Sequence, residues 1–138
     1  MAKAMRRSIH HASRILLAED DAEMRSLVAG ALRLDGHEVV EVADGGGLLR
    51  QIANAMTSDG PAIYDLVLSD IRMPVCNGMQ VLECLRQTRW GTPVILMTAF
   101  GDHRTRVEVE SMGAFLVDKP FDLDDLRTLV LNLVPAAS

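Results

Sequence analysis

The sequence lacks several features that would assign it to a specialised class of protein. No apolar run approaches the ~20 residues that a membrane-spanning helix needs, and the N-terminus lacks the apolar stretch of a secretory signal peptide. The two cysteines, Cys76 and Cys84, match no metal or redox spacing and are too few for a disulfide framework. We therefore expect a cytoplasmic protein with reduced thiols and no membrane contact.

Acidic residues outnumber basic ones, with 19 Asp and Glu against 14 Lys and Arg. The formal net charge of −5 argues against nucleic-acid binding by the body of the domain. Residues 1–13 contain basic residues without nearby acids, and we expect a flexible basic arm there, with contact to an acidic partner as the alternative. The length of 138 residues and the ordinary composition predict one globular domain at residues 14–134, followed by a short tail at 135–138.

Five short runs rich in Val, Ile and Leu have the length and composition of strands. They lie at residues 14–18, 37–43, 64–69, 93–99 and 114–117. Stretches with helical spacing of apolar residues follow each run, as Leu123, Leu126, Val130 and Leu133 illustrate. The alternation predicts an α/β fold, a doubly wound parallel sheet of five strands with five helices on its two faces.

Polar residues follow four of the five predicted strands, at the end of the sheet where such folds bind ligands. They are Glu19, Asp20 and Asp21 after the first strand, Asp70 after the third, Thr98 at the end of the fourth and Lys119 after the fifth. Each has an ordinary explanation when taken alone, because helix caps, loop caps, strand threonines and surface lysines are common. Their meeting at one edge of a sheet is what indicates a functional site.

The chemistry of this set favours phosphoryl transfer. Clustered carboxylates repel one another unless a cation lies between them, and a partly hydrated site of oxygen ligands suits Mg²⁺. Lys119 and Thr98 would supply a charge and a hydrogen bond to the phosphoryl oxygens. The set therefore predicts a carboxylate nucleophile and an aspartyl phosphate as product.

Four segments carry a family resemblance. The sequences ILLAEDDAEMR, LVLSDIRMPVCNG, VILMTAFGD and DKPF occur in this order, each around the end of a predicted strand. Together they resemble the signature of the response-regulator receiver domain of two-component signalling, over about residues 14–134. The resemblance implies a flavodoxin-like (βα)5 fold with strand order 2-1-3-4-5.

The resemblance implies that Asp70 accepts a phosphoryl group from the phosphohistidine of a histidine kinase. Thr98 would move toward the phosphoryl oxygens, and Lys119 would pair with them. The Lys119–Pro120 peptide bond is expected to be cis, as in the family. Beyond its own phosphorylation and dephosphorylation, the domain is not expected to be an enzyme.

The resemblance also implies a site for Mg²⁺ or Mn²⁺. Its ligands would be Asp20, Asp70, the backbone carbonyl of Arg72 and, through water, Glu19. Asp21 would then be left to cap the first helix.

The sequence departs from the family pattern in two places. The segment before the third strand is a few residues longer, which we attribute to a surface loop near residues 56–63. The aromatic residue that swings inward on phosphorylation usually lies three positions before the lysine, but here Leu116 has that position and Phe115 precedes it. Phe115 is taken as the candidate switch residue, and static packing of Phe115 is the alternative.

Two positions in the loops are expected to affect the lifetime of the phosphate. Arg72 and Phe100 correspond to positions that border the path of the hydrolytic water in the family. A bulky apolar side chain at Phe100 predicts slow dephosphorylation.

Three other functions compete with the receiver interpretation. A phosphatase of the haloacid-dehalogenase type needs a second aspartate two residues after the nucleophile, where this chain has Arg72. A flavodoxin-like cofactor binder needs a Gly/Ser/Thr-rich phosphate loop after the first strand, and none is present. A phosphorylation-independent interaction scaffold does not need the intact acceptor, lysine and hydroxyl, and it is kept as the alternative.

The implied partners are a sensor histidine kinase or phosphotransfer protein and a downstream target protein or output domain. Direct binding of nucleic acid or membranes is not expected. The face made by the fourth helix, fifth strand and fifth helix is where the family docks or dimerises, and a dimer through that face is a further expectation. Whether the chain is a stand-alone receiver or a piece of a longer regulator stays open.

Overall fold

The structure is a computed structural model that describes residues 12–57, 64–73, 77–87 and 91–134. Most of the expected arm, Cys76, most of the long loop and the C-terminal tail lie outside the described residues. The elements are β1 Arg14–Ala18, α1 Ala22–Leu34, β2 Glu38–Val42, α2 Gly45–Thr57, β3 Leu66–Asp70, α3 Gly78–Gln87, β4 Val94–Thr98, α4 His103–Ser111, β5 Phe115–Asp118 and α5 Leu123–Leu133. None of the helices in the described ranges has the length and apolarity to span a bilayer.

The five strands form one parallel sheet in the order β2-β1-β3-β4-β5. This confirms the predicted doubly wound fold and its strand order. From β1 the chain first adds β2 at one edge, and it then crosses back to place β3, β4 and β5 on the other side of β1. The strand order reverses between β1 and β3, so the loops after these two strands diverge and leave a crevice for a ligand.

Alternate residues of the central strands contribute to two separate apolar cores. Leu68 of β3 and Met97 of β4 pack with helices α1 and α5, whereas Val67 and Leu96 pack with α2, α3 and α4. Every residue of β3 and β4 is buried. Because burial of one such apolar side chain contributes about 1.5–3 kcal/mol, these two strands form a rigid base for the residues at their ends.

Capping side chains determine where the helices begin. Asp21 caps α1, and its Oδ1 accepts hydrogen bonds from two backbone N–H groups of the first turn at 2.9 and 3.0 Å. Asp122 caps α5 in the same way. Gly36 follows α1 with a φ of 92°, a conformation that glycine adopts without steric cost. The cap of α1 therefore falls to Asp21 and not to Asp20.

Candidate functional site

The carboxyl ends of β1 and β3 bring three acidic side chains together. One carboxylate oxygen from each of Glu19, Asp20 and Asp70 lies within 4.8 Å of the others. Glu19 and Asp70 are buried, with 1% and 7% of their surface exposed, whereas Asp20 is exposed. The acids meet because β1 and β3 are paired neighbours with Ala18 opposite Ser69, so both strands end at the same edge.

The ammonium group of Lys119 lies between two of these acids. Its Nζ donates to Glu19 Oε1 at 2.7 Å and to Asp70 Oδ2 at 3.0 Å. The backbone N–H of Lys119 donates to the Thr98 carbonyl at 2.7 Å, and the Lys119–Pro120 bond is cis, as expected. Burial by itself lowers the pKa of Lys119, but the hydrogen bonds and charges of the two acids outweigh it and raise that pKa above its ordinary value.

The acidic cluster carries more negative charge than the one ammonium balances. Partial burial of the Asp20 carboxyl raises its pKa, and the hydrogen bond and charge of Glu19 raise it further. A hard divalent cation would remove this repulsion, and a set of carboxylate oxygens suits Mg²⁺ or Mn²⁺. The residues therefore fit a metal site in which Glu19, Asp20 and Asp70 are the acids that could hold the ion.

Glu19 is fixed by its backbone as well as by its side chain. Its Oε2 accepts from the Asp21 N–H at 3.1 Å, and its backbone carbonyl accepts from Arg25 Nη1 at 2.7 Å. Its own N–H donates to the carbonyl of Val42 at 3.1 Å. Glu19 therefore orients the Lys119 ammonium in addition to facing the acidic cluster.

The loop after β3 passes close to Gly78, the first residue of α3. The Gly78 N–H donates to the Ile71 carbonyl at 2.8 Å. A Cβ atom at Gly78 would lie 2.8 Å from the Asp70 carbonyl oxygen and 3.0 Å from Leu96 Cδ2, closer than real side chains approach. Glycine is therefore required where the helix packs against the candidate acceptor. Pro74, which lies between Asp70 and Gly78 in the sequence, falls outside the described residues.

Thr98 reaches the site from the end of β4. It is buried, and its Oγ1 accepts a hydrogen bond from the Phe100 backbone N–H at 3.0 Å. Phe115 pairs with Ile95 in the sheet. Ile95 lies three residues before Thr98, and strand residues at an odd spacing point to opposite faces, so Phe115 and Thr98 are on opposite faces. Leu116, which pairs with Leu96, is on the same face as Thr98 and packs, partly buried, against the core formed with α2, α3 and α4. The structure therefore does not bring Phe115 together with Thr98, because an offset of one residue in a strand reverses the face.

Arg72 and Phe100 make a contact across the two loops that follow β3 and β4. The Arg72 guanidinium carbon lies 5.0 Å from the centre of the Phe100 ring, within the range of a cation–π interaction. Phe100 is 68% exposed, and Arg72 is also exposed. The sequence predicts that both border the site, but it gives no indication that they touch.

Sequence reasoning missed an ion pair beside the site. Arg106 of α4 donates from Nη2 to Asp118 Oδ2 at 2.5 Å, and Asp118 immediately precedes Lys119. The only sequence signal is the charged residue next to the lysine in DKPF. The partner on α4 depends on how the helix packs over the sheet, which the sequence does not state.

Comparisons with known proteins identify the family and the fold. The model of the family described as the response regulator receiver domain matches residues 15–131. The regulatory protein AtoC of Escherichia coli (strain K12) is 39% identical over 119 residues, which cover 86% of this chain and 24% of that protein. A Francisella response regulator 1452 receiver domain superposes with a TM-score of 0.78 at 27% identity, covering 88% of this chain and 95% of the other.

A second solved structure similar to this chain is a complex with a metal ion. The response regulator protein TrrA of Thermotoga maritima, in complex with Mg²⁺–BeF, superposes with a TM-score of 0.73 at 30% identity, covering 88% of this chain and 99% of that one. By contrast, the chain spans only a quarter to about half of the length of curated relatives such as AtoC and the transcriptional regulatory protein TcrA of Mycobacterium tuberculosis.

Proposed function

Because the chain belongs to the response-regulator receiver family, we propose that it accepts a phosphoryl group on Asp70 in a reaction that depends on Mg²⁺. The observation that carries this proposal is the cluster of Glu19, Asp20 and Asp70 with the Lys119 ammonium at the carboxyl edge of the sheet. The fold and the family agree with the proposal, whereas the group transfer and its metal are our inference.

The metal would be held by Asp20 and Asp70, by the backbone carbonyl of Arg72 and, through water, by Glu19. Mg²⁺ or Mn²⁺ would supply positive charge that screens the acids from an incoming phosphoryl group. The partial exposure of the cluster, through Asp20, supports a site that keeps water ligands.

In the proposed transfer, a carboxylate oxygen of Asp70 forms a bond to phosphorus, and the phosphorus–nitrogen bond of a donor phosphohistidine breaks. The rigid, buried β3 strand holds Asp70 in position for this attack. The Lys119 ammonium, which donates a hydrogen bond to Asp70 in this structure, would donate to a phosphoryl oxygen after the transfer. The Thr98 hydroxyl would donate to another phosphoryl oxygen.

The test of this function is intact-mass spectrometry of the chain after incubation with acetyl phosphate. With Mg²⁺ present, we expect one added phosphoryl group, and with a chelator in its place we expect none. Circular dichroism with and without the chelator controls for folding. Absence of any adduct on folded protein with Mg²⁺ would contradict the proposal and favour the interaction scaffold that works without phosphorylation.

We further propose that the Arg72–Phe100 contact slows loss of the phosphoryl group. A Phe100→Glu variant loses the cation–π contact and replaces an apolar group with one that attracts water, so its adduct is expected to disappear several-fold faster than that of the wild type. The decay is followed by intact mass after removal of acetyl phosphate. A Phe100→Tyr variant keeps the ring and should retain the slow decay, and faster decay in the wild type than in Phe100→Glu would overturn the idea.

The partners follow from the family and are proposals here. We infer that a histidine kinase or phosphotransfer protein donates the phosphoryl group and that a target protein or output domain responds to the phosphorylated chain. The cytoplasmic location and a dimer through the face of α4, β5 and α5 stay predictions.

A further inference from the structure

An ion pair joins α4 to the end of β5 directly beside the site. Arg106 and Asp118 are in contact at 2.5 Å, with about a third and a half of their side chains exposed. Asp118 is the residue opposite Thr98 in the sheet register, so the two side chains share one face. The next residue, Lys119, bonds to the candidate acceptor Asp70.

The Asp118 carboxylate also packs against the segment that leaves β4. A Cβ atom at Gly101 would collide with Asp118 Oδ1 and would lie 3.1 Å from Thr98 Cγ2. Asp118, Gly101 and Thr98 are therefore in close packing, and Arg106 holds the carboxylate from the side of α4. Within this packing the Thr98 Oγ1 is engaged by the Phe100 N–H.

This arrangement gives Thr98 a defined resting position. The hydrogen bond that Thr98 Oγ1 accepts from Phe100 ties the hydroxyl to the segment 98–101, so movement of Thr98 toward a phosphoryl oxygen on Asp70 carries this segment with it. Closely packed groups move together, so a displacement of this segment displaces Asp118 and strains its bond to Arg106. Leu116, on the same face of β5, packs partly buried against the apolar core and has no polar group that could take part.

We propose that Arg106 and Asp118 are positioning residues that form a latch, which holds the segment 98–101 and the Thr98 hydroxyl in the arrangement without phosphate. The proposal rests on the proposed function, since it concerns how Thr98 reaches the phosphoryl group. A contact made in only one of two states shifts the equilibrium toward that state. Removal of the latch therefore favours the phosphoryl-bound state.

The test measures the affinity of the folded chain for beryllofluoride in the presence of Mg²⁺, by calorimetric titration. Arg106→Gln and Asp118→Asn are each expected to tighten binding about two- to fivefold, the range set by an exposed ion pair. The double variant should bind no more tightly than either single variant, because both break one contact. Raising the salt concentration should reduce the difference in beryllofluoride affinity between the variants and the wild type, because salt screens the Arg106–Asp118 ion pair.

Two control variants separate the latch from a general effect of charge or folding. Arg104→Gln removes a positive charge from the exposed surface of the same helix and should bind as the wild type does. Arg106→Lys keeps a charge opposite Asp118 and should stay close to the wild type. Thermal unfolding of each variant shows whether its fold is retained.

The outcomes distinguish the latch from the function on which it rests. Wild-type protein that fails to bind beryllofluoride with Mg²⁺ contradicts the proposed function and the latch with it. Wild-type protein that binds, with unchanged or weaker affinity in Arg106→Gln and Asp118→Asn, overturns the latch alone. Independent, additive effects of the two substitutions also overturn it.

Discussion

An Asp70→Asn protein is expected to fold and yet to form no Mg²⁺-dependent adduct with acetyl phosphate. The amide has no carboxylate oxygen to attack phosphorus, so the rate should fall by roughly 10³-fold or more. Asparagine has the shape of aspartate and can still accept a hydrogen bond from Lys119. Because the substitution also removes one of three mutually repelling acids, we expect the free energy of unfolding without metal to change by less than about 1 kcal/mol.

The matched control is Asp20→Asn, which removes the exposed acid of the cluster and keeps the acceptor. Its adduct should still form, but only at higher Mg²⁺ concentration, because one proposed ligand has lost its charge. Intact mass over a series of Mg²⁺ concentrations compares the two variants with the wild type. An adduct that persists in Asp70→Asn, mapped by peptide mass to another side chain, would refute the assignment of the acceptor.

A Lys119→Met protein is expected to lose about 2–4 kcal/mol of stability in the absence of metal. The substitution removes the ammonium group that pairs with both acids, so the buried Glu19 and Asp70 carboxylates lose their salt-bridge partner. Breaking a buried pair by deleting one member costs about 3–5 kcal/mol, and the partial exposure of Lys119 reduces that figure. The pKa of Lys119 is raised in the folded state. The stabilisation by the Lys119 ammonium is therefore complete at pH values below the ordinary lysine pKa, and it is lost only as the pH rises through the pKa of Lys119 in the folded protein.

Urea unfolding at pH 7 measures this loss, with and without Mg²⁺. The ion supplies the charge that the variant lacks, so Mg²⁺ should stabilise Lys119→Met more than it stabilises the wild type. In the double variant Glu19→Gln/Lys119→Met the buried carboxylate is also neutral, and part of the lost stability should return. A single variant as stable as the wild type without metal would show that the ammonium does not balance these acids.

The parts of the fold that depend on local pattern could be predicted from the sequence. The continuous apolar runs of β3 and β4 follow from burial on both faces, and their alternate residues indeed feed two cores. The position of Asp70 at a strand end and the capping of α1 by Asp21 depend on neighbours in the chain. Such features need no knowledge of how distant elements pack.

The contacts that sequence reasoning could not supply join residues far apart in the chain. The sequence predicts that Lys119 and Glu19, 100 positions apart, lie at one edge of the sheet, but it does not predict the hydrogen bond between their side chains. The Arg106–Asp118 pair requires the rotation of α4 over the sheet. Phe115 stands one residue away from the family position in the sequence, and its place on the opposite face of the sheet is certain only once the register of β5 is known.

The gradient of burial around the site has a consequence for how this protein can evolve. Three of the groups proposed to carry the chemistry, Glu19, Asp70 and Thr98, are buried, and changing them disturbs packed or charged surroundings. Phe100 and Arg72 contact each other in the loops after β4 and β3 and are both exposed, and substitutions at exposed positions usually alter stability by less than about 0.5 kcal/mol. Under the proposed function, selection can therefore change how long the phosphoryl group persists without putting the fold at risk, and duplicated copies of such a gene can diverge in timing while keeping the same reaction.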